Sequence, residues 1–194
     1  MLAYVLTLSR LVLAGAFAGW VCAVGPGGRL SLATGVGLCL LAIAAELTDI
    51  FDGVAARAAG TVSELGGILD PLVDSLGRLA MYFALAYARW VTWAVPLVMT
   101  ARDIIVAYTR VVNAMTGRKT SARFSGKIKA IIQGGGVPVL VALEWMRVAL
   151  DPLWSARLLA FGTALLVAVT LWSLADYVAG AVPGVRALLG RKPR

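Results

Sequence analysis

Apolar runs separated by glycine, proline and charged residues follow one another along the whole chain. Each run is close to the 20 or so residues that a helix needs to cross the hydrocarbon core of a bilayer. The breaks are residues typical of turns, such as Gly25-Pro26-Gly27-Gly28 after the first run. The pattern predicts an all-α polytopic membrane protein with six transmembrane helices in one bundle. The predicted spans are 5–24, 31–56, 66–88, 91–114, 130–146 and 157–180.

The composition agrees with this pattern. Of the 194 residues, 60% are hydrophobic and 14% are charged, and the mean hydropathy is +0.87. These values exclude a water-soluble globule of this size. Six spans take up about 120 positions, so we expect a single domain over residues 1–194. The first run contains Arg10 and has no basic stretch before it, so we expect a retained helix rather than a cleaved signal peptide.

Basic residues outnumber acidic ones, 18 against 10, which gives a net charge of +8. If the N-terminus lies inside, most loop lysines and arginines fall on the inner side, so the positive-inside rule places both termini in the cytoplasm. In a membrane protein such an excess usually sets orientation and contacts anionic lipid, so we expect no nucleic-acid partner.

Two residue types limit the possible chemistry. The chain has no histidine, which excludes histidine general bases and histidine-ligated zinc. Cys22 and Cys39 lie in apolar runs and are expected to pack as small hydrophobic residues. Acid–base chemistry must therefore fall to carboxylates.

Some residues within the spans have to face the interior. A charge that faces lipid costs at least about 2.5 kcal/mol, so Arg78, Arg102 and Arg110 are expected to contact polar groups. Gly15 and Gly19 form a small-xxx-small pair, which predicts close packing of the first helix against another.

Four aspartates stand out at the inner ends of the second and third spans. Asp49 and Asp52 are three residues apart, and Asp70 and Asp74 are four apart, so each pair shares a helix face. The short connection between the spans predicts antiparallel neighbours whose carboxylates converge. Ligands that are all oxygen favour Mg²⁺ or Mn²⁺, and four carboxylates suit a site for two ions that bind phosphate.

Other interpretations remain open at this point. The acids could pair with Arg57 and Arg78 in structural salt bridges. Carboxylates inside a membrane also bind the cations that transporters and channels carry. A scaffold without enzymatic activity is a third alternative.

The same stretch resembles the signature of the CDP-alcohol phosphatidyltransferase family, D-x2-D-G-x2-A-R-x8-G-x3-D-x3-D. The resemblance extends to the six spans and implies a membrane enzyme of phospholipid biosynthesis. Such an enzyme transfers a phosphatidyl group from CDP-diacylglycerol to an alcohol and releases CMP. The matching positions are Asp49, Asp52, Gly53, Ala56, Arg57, Gly66, Asp70 and Asp74.

The resemblance implies a role for each of these residues. Asp49 and Asp70 would contact both of two Mg²⁺ or Mn²⁺ ions, and Asp52 would complete the site of one of them. Asp74 would bind the other ion and act as the general base. The residues implied for binding the CDP-lipid are Gly53, Ala56, Arg57, Ser63 and Gly66.

A second group of residues predicts the acceptor. The patterns R-[ED]-x6-R, from Arg102 to Arg110, and G-K-x-K-x3-Q, from Gly126 to Gln133, resemble those of bacterial phosphatidylglycerophosphate synthases. Positions 102 and 110 differ by about 80° around a helix, so both side chains can border one pocket. A basic pocket favours a phosphorylated alcohol, and we expect sn-glycerol 3-phosphate. The predicted acceptor residues are Arg102, Arg110, Lys127 and Lys129.

Departures from that pattern leave the acceptor open. Ser75 follows Asp74 where those synthases usually carry lysine, and Ala130 stands where they usually have threonine. Inositol phosphate, serine and phosphatidylglycerol are the alternative acceptors. Lys127 and Lys129 could instead belong to a cytoplasmic loop that binds anionic lipid.

The resemblance also implies a location. We expect the bacterial cytoplasmic membrane, with a polar cavity and the active site open to the cytoplasmic leaflet. A homodimer is compatible with the sequence.

Overall fold

The chain forms six α-helices in the computed structural model, and no β-strand occurs among the described residues. The structure describes the backbone of residues 2–58, 64–116, 124–149 and 152–190. It describes the side chains of residues 8–48, 70–116, 124–147, 149, 153–186 and 190. The prediction of an all-helical chain is confirmed. The helices are α1 (Leu2–Val24), α2 (Leu32–Ala58), α3 (Glu64–Tyr87), α4 (Ala94–Met115), α5 (Phe124–Ala149) and α6 (Pro152–Leu189).

The helices pack around a core to which each contributes one stripe. Helix α1 packs against α2 and α3, α5 packs against α2 and α6, and α4 packs against α3 and α6. Ala14, Phe17 and Val21 recur at helical spacing and form the buried stripe of α1. Tyr82 of α3 and Leu140 of α5 are also fully enclosed in the core.

Gly15 and Gly19 do not make the close helix contact that was predicted for them. Each is exposed, and a Cβ atom added at either position would meet nothing within 4 Å. The prediction is wrong for contacts within the described residues, because both glycines lie outside the buried stripe of α1 that contains Ala14. The close approach occurs there instead: a Cβ at Gly77 of α3 would lie 3.5 Å from the Ala14 Cβ.

The turn predicted after the first run is confirmed. Gly25 and Gly27 have φ values of 73° and 75°, a region that glycine enters without steric cost. Helix α2 then begins with a capping contact in which the Thr34 amide donates to the Ser31 hydroxyl, at 3.1 Å.

Helix α5 begins at Phe124, six residues before the predicted span. Lys127 and Lys129 therefore lie on a helix, and their assignment to a loop is wrong. Packing against α6 explains the extension. Ser125 donates a hydrogen bond to Asp176, and a Cβ at Gly126 would lie 3.0 Å from the Tyr177 hydroxyl.

Helix α6 is also longer than the predicted span. It begins at Pro152, since proline is tolerated in the first helical turn. It continues past Pro183 to Leu189, and the extension packs on the end of α4. A Cβ at Gly184 would lie 3.0 Å from the Asn113 Oδ1.

Large apolar side chains cover much of the exterior. Ile131, Leu153 and Phe161 are each at least two-thirds exposed. Two helical segments, Phe124–Arg147 and Leu153–Arg186, are long and apolar enough to cross a membrane. Shorter apolar segments in the described residues are Leu8–Val24 and Leu32–Thr48.

Candidate functional site

The four signature aspartates lie near the C-terminal end of α2 and the N-terminal end of α3. Asp49 and Asp52 fall in the last three turns of α2, and Asp70 and Asp74 fall in the first three turns of α3. The side chains of Asp49 and Asp52 lie outside the described residues, so the convergence of all four carboxylates stays a prediction. The side chains of the residues predicted to bind the CDP-lipid also lie outside the described residues: Gly53, Ala56, Arg57, Ser63 and Gly66. The backbone of Ser63 lies outside them as well.

Asp74 is bound by an arginine one helical turn later. Nη2 of Arg78 lies 2.6 Å from Oδ1 of Asp74, and Nη1 donates to Oδ2 at 2.8 Å. Arg10 of α1 lies further away, with 3.9 Å between its Nη1 and Oδ1 of Asp74. Asp70 is exposed. The salt bridge to Arg78 that the structural alternative predicts is therefore present at Asp74.

Glu46 of α2 binds the other side of the same arginine. Its Oε1 accepts from Nε of Arg78 at 3.2 Å, and its Oε2 accepts from Nη2 at 3.4 Å. Arg78 is only 4% exposed, so the polar partners expected for this arginine are confirmed. Glu46 is not among the predicted site residues. Its spacing of three residues from Asp49, which places both on one face of α2, was the available signal.

A second polar cluster joins α4, α5 and α6. Arg102 donates to Asp103 at 2.7 Å and to the Ser173 hydroxyl at 2.9 Å. The guanidinium carbon of Arg102 lies 5.1 Å from the ring centre of Tyr177. Lys129 donates to the same Asp103 oxygen at 3.1 Å. Two buried cations thus contact one carboxylate.

The four predicted acceptor residues fall into two pairs. Arg102 and Lys129 are buried and meet at Asp103. Arg110 and Lys127 are exposed. The geometry brings together one residue from each of the two acceptor patterns.

Ser75 connects the two clusters. It follows Asp74 directly on α3 and lies close to Asp103 on α4. A lysine at this position would bring a third cation near Asp103, whereas serine is neutral. The candidate base and the two buried cations therefore belong to one continuous polar region.

Gln133 lies in the middle of the bundle beside this region. Its side chain is fully buried and donates to the Thr170 hydroxyl of α6 at 2.9 Å. Its backbone carbonyl accepts from the Tyr82 hydroxyl of α3 at 2.7 Å. These bonds link α3, α5 and α6 where the core would otherwise be apolar.

The described side chains include only part of the predicted binding site for Mg²⁺ or Mn²⁺. Among them, no group of three or more histidine, cysteine, aspartate or glutamate residues is placed to hold a metal ion. Two of the four predicted ligands, Asp49 and Asp52, lie outside that set. Asp70 and Asp74 share a face of α3 and supply only carboxylate oxygens, the donors that Mg²⁺ and Mn²⁺ prefer. The oxygen ligands that Asp70 and Asp74 offer therefore fit Mg²⁺ or Mn²⁺.

Comparison with known proteins finds one family of enzymes. The family model for CDP-alcohol phosphatidyltransferase matches residues 1–172. Proteins named CDP-diacylglycerol--glycerol-3-phosphate 3-phosphatidyltransferase, from Escherichia coli K12 and Shigella flexneri serotype 5b, are each 32% identical to the chain over 152 residues. The aligned region covers 73% of this chain and 76% of each relative.

Proposed function

The chain belongs to the CDP-alcohol phosphatidyltransferase family, and on that premise we propose that its acceptor is sn-glycerol 3-phosphate. It is a transferase of phospholipid biosynthesis. The proposed reaction moves the phosphatidyl group of CDP-diacylglycerol to a hydroxyl of the acceptor, giving phosphatidylglycerophosphate and CMP. The names of the relatives from Escherichia coli and Shigella flexneri support this acceptor.

The observation that carries the choice of acceptor is the pair of buried cations beside the candidate base. Arg102 and Lys129 both contact the carboxylate of Asp103, and Asp103 lies close to Ser75, the residue that follows Asp74 on α3. A phosphate is the ligand that a forked guanidinium and an ammonium bind most strongly. An uncharged alcohol would offer these two cations no anionic group, whereas a phosphate can bind both.

The proposed chemistry divides the signature residues between two tasks. Asp49, Asp52, Asp70 and Asp74 would hold two Mg²⁺ or Mn²⁺ ions, which neutralise phosphate charge when they are bound. Asp74 would also take the proton from the acceptor hydroxyl, whose oxygen then attacks the phosphorus on the lipid side. The bond from that phosphorus to the CMP oxygen breaks, and CMP leaves.

The apolar exterior supports a location in the membrane. We propose that all six helices span the bacterial cytoplasmic membrane with both termini inside, because the apolar segments alternate with short connections and the basic residues favour that orientation. The donor's acyl chains would lie against apolar helix faces while its head group enters a polar cavity at the cytoplasmic leaflet. A homodimer is compatible with the exposed apolar surface.

Release of CMP tests this proposal. Purified protein in detergent is supplied with CDP-diacylglycerol and Mg²⁺ or Mn²⁺, and each acceptor is added separately: glycerol 3-phosphate, inositol phosphate, serine or phosphatidylglycerol. We expect release with glycerol 3-phosphate and a loss of about 10²–10⁴-fold in Asp74→Asn. The matched control is Glu144→Gln, which alters a buried carboxylate that pairs with Arg147 far along α5.

The outcomes separate the alternatives. Release with another acceptor alone would keep the family reaction and overturn glycerol 3-phosphate. Full activity in Asp74→Asn would refute the assignment of the base. Cation flux into sealed vesicles without CDP-lipid, from protein that releases no CMP, would favour the transporter alternative.

A further inference from the structure

Arg78 lies between two carboxylates that come from different helices. Asp74, on its own helix, accepts from Nη1 and Nη2, and Glu46 of α2 accepts from Nε and Nη2. The guanidinium is planar and presents its donors at fixed angles. With a carboxylate on each of two edges, it cannot rotate without breaking contacts on both sides. The direction of the Asp74 carboxylate is therefore coupled to the position of Glu46.

Helix α5 leaves space for the Glu46 carboxylate at one position. A Cβ atom added at Gly134 would lie 2.6 Å from Cδ of Glu46, a separation that side chains do not tolerate. A Cβ at the next residue, Gly135, would meet nothing within 4 Å. Because Gly134 has no side chain, the Glu46 carboxylate has room to reach Arg78. The contact therefore depends on α2, α3 and α5 together.

One carboxylate would be enough to neutralise a buried arginine. Arg10 is a second buried arginine within 4 Å of Asp74, so the Glu46 carboxylate also contributes to charge balance. Glu46 is 27% exposed and keeps part of its hydration. The additional contact has a geometric consequence, since Glu46 lies one turn before Asp49 on α2 and Arg78 lies one turn after Asp74 on α3. It fixes the two helices that carry the signature against each other.

We propose that Arg78, oriented by Glu46 in the space beside Gly134, is a positioning residue that aligns the Asp74 carboxylate for proton transfer. The inference rests on the proposed function, in which Asp74 is the general base. Neither Glu46 nor Arg78 belongs to the family signature. Arg78 is the cation of α3 that binds Asp74.

The test measures kcat and KM for CMP release in two conservative variants. Arg78→Lys keeps the charge and loses the planar fork, and Glu46→Gln keeps the shape and loses the charge. Misplacement of a reacting group by about 1 Å can cost about 10²-fold, so we expect kcat to fall by up to that factor. Both KM values should stay within about threefold, because neither residue is assigned to substrate binding. If Glu46 acts through Arg78, the double variant loses no more activity than Arg78→Lys alone.

A matched pair of glycine variants tests the geometry without changing any charge. Gly134→Ala should displace the Glu46 carboxylate and lower kcat as Glu46→Gln does, whereas Gly135→Ala should retain the kcat of the wild type. Thermal unfolding and gel filtration in detergent establish that each protein is folded. If Arg78→Lys does not fold, the comparison of Glu46→Gln and Gly134→Ala with Gly135→Ala decides the question.

Three results would overturn the inference. The first is a kcat within twofold or so of the wild type in folded Glu46→Gln and Gly134→Ala. The second is a multiplicative loss in the double variant, which would show that the residues act independently. In both cases the wild type still releases CMP, so the proposed function stands. The third is a wild type without CMP release, which refutes the proposed function and this inference together.

Discussion

Lys129→Met is the most informative single test of the acceptor pocket. Lys129 is 4% exposed, and its ammonium lies 3.1 Å from the Asp103 carboxylate. Arg102 remains 2.7 Å from that carboxylate after the substitution, so Asp103 keeps a cationic partner. Methionine also has nearly the length of the lysine stem. We therefore expect a loss of about 1–2 kcal/mol in unfolding free energy, below the 3–5 kcal/mol or so that follows when a buried charge is left alone.

The effect on acceptor binding should be larger than the effect on stability. A hydrogen bond between charged groups contributes about 1.5–3 kcal/mol, which corresponds to a factor of about 10–150 in affinity. We expect KM for glycerol 3-phosphate to rise by that factor, while KM for CDP-diacylglycerol stays constant. Initial rates of CMP release, measured with each substrate varied in turn, separate the two constants.

The matched control for Lys129→Met is Arg157→Met. Arg157 is exposed and stacks over Trp154, with 5.9 Å between the guanidinium carbon and the ring centre. The control removes one positive charge from the same protein, so it corrects for any general loss of attraction to anionic substrates. An unchanged KM for glycerol 3-phosphate in Lys129→Met would refute the assignment. An equal rise for both substrates would show that the lysine does not distinguish the acceptor.

Three further predictions follow from the geometry. Removal of divalent ions with EDTA should abolish CMP release, and Mg²⁺ or Mn²⁺ but not Na⁺ should restore it; activity in excess EDTA would exclude the metal site. Gly37→Ala should lower the unfolding free energy by about 1–3 kcal/mol, because its Cβ would lie 2.8 Å from a ring carbon of Trp20. The control Gly19→Ala, whose Cβ would meet nothing within 4 Å, should leave the thermal unfolding midpoint unchanged. Tyr82→Phe removes the donor to the Gln133 carbonyl and should cost about 1 kcal/mol; an unchanged midpoint would show that this bond does not contribute.

The sequence predicted what depends on local pattern. The number and order of the helices follow from apolar runs and from turn residues such as Gly25 and Gly27. The cost of a charge in lipid correctly required polar partners for Arg78 and Arg102. Arg110, the third arginine of that prediction, is exposed instead.

The features that were missed depend on contacts between distant parts of the chain. Glu46 and Arg78 are 32 residues apart, and only the packing of α2, α3 and α5 brings them together. The early start of α5 depends on Ser125 reaching Asp176 of α6, 51 residues later. No periodicity within one helix contains that information.

The distribution of polar groups limits where the reaction can take place. In the described part of the chain, several charged and amide side chains are buried beside the apolar core, while many large apolar ones are exposed. Under the proposed function, a phosphorylated acceptor needs hydrogen-bond donors that lipid does not offer, whereas the acyl chains of the donor fit the apolar exterior. The two substrates would therefore meet where the buried polar groups open to the surface. The turns of α3 that carry Asp70 and Asp74 fit this location, because Asp70 is exposed and Asp74 already contacts the buried Arg78.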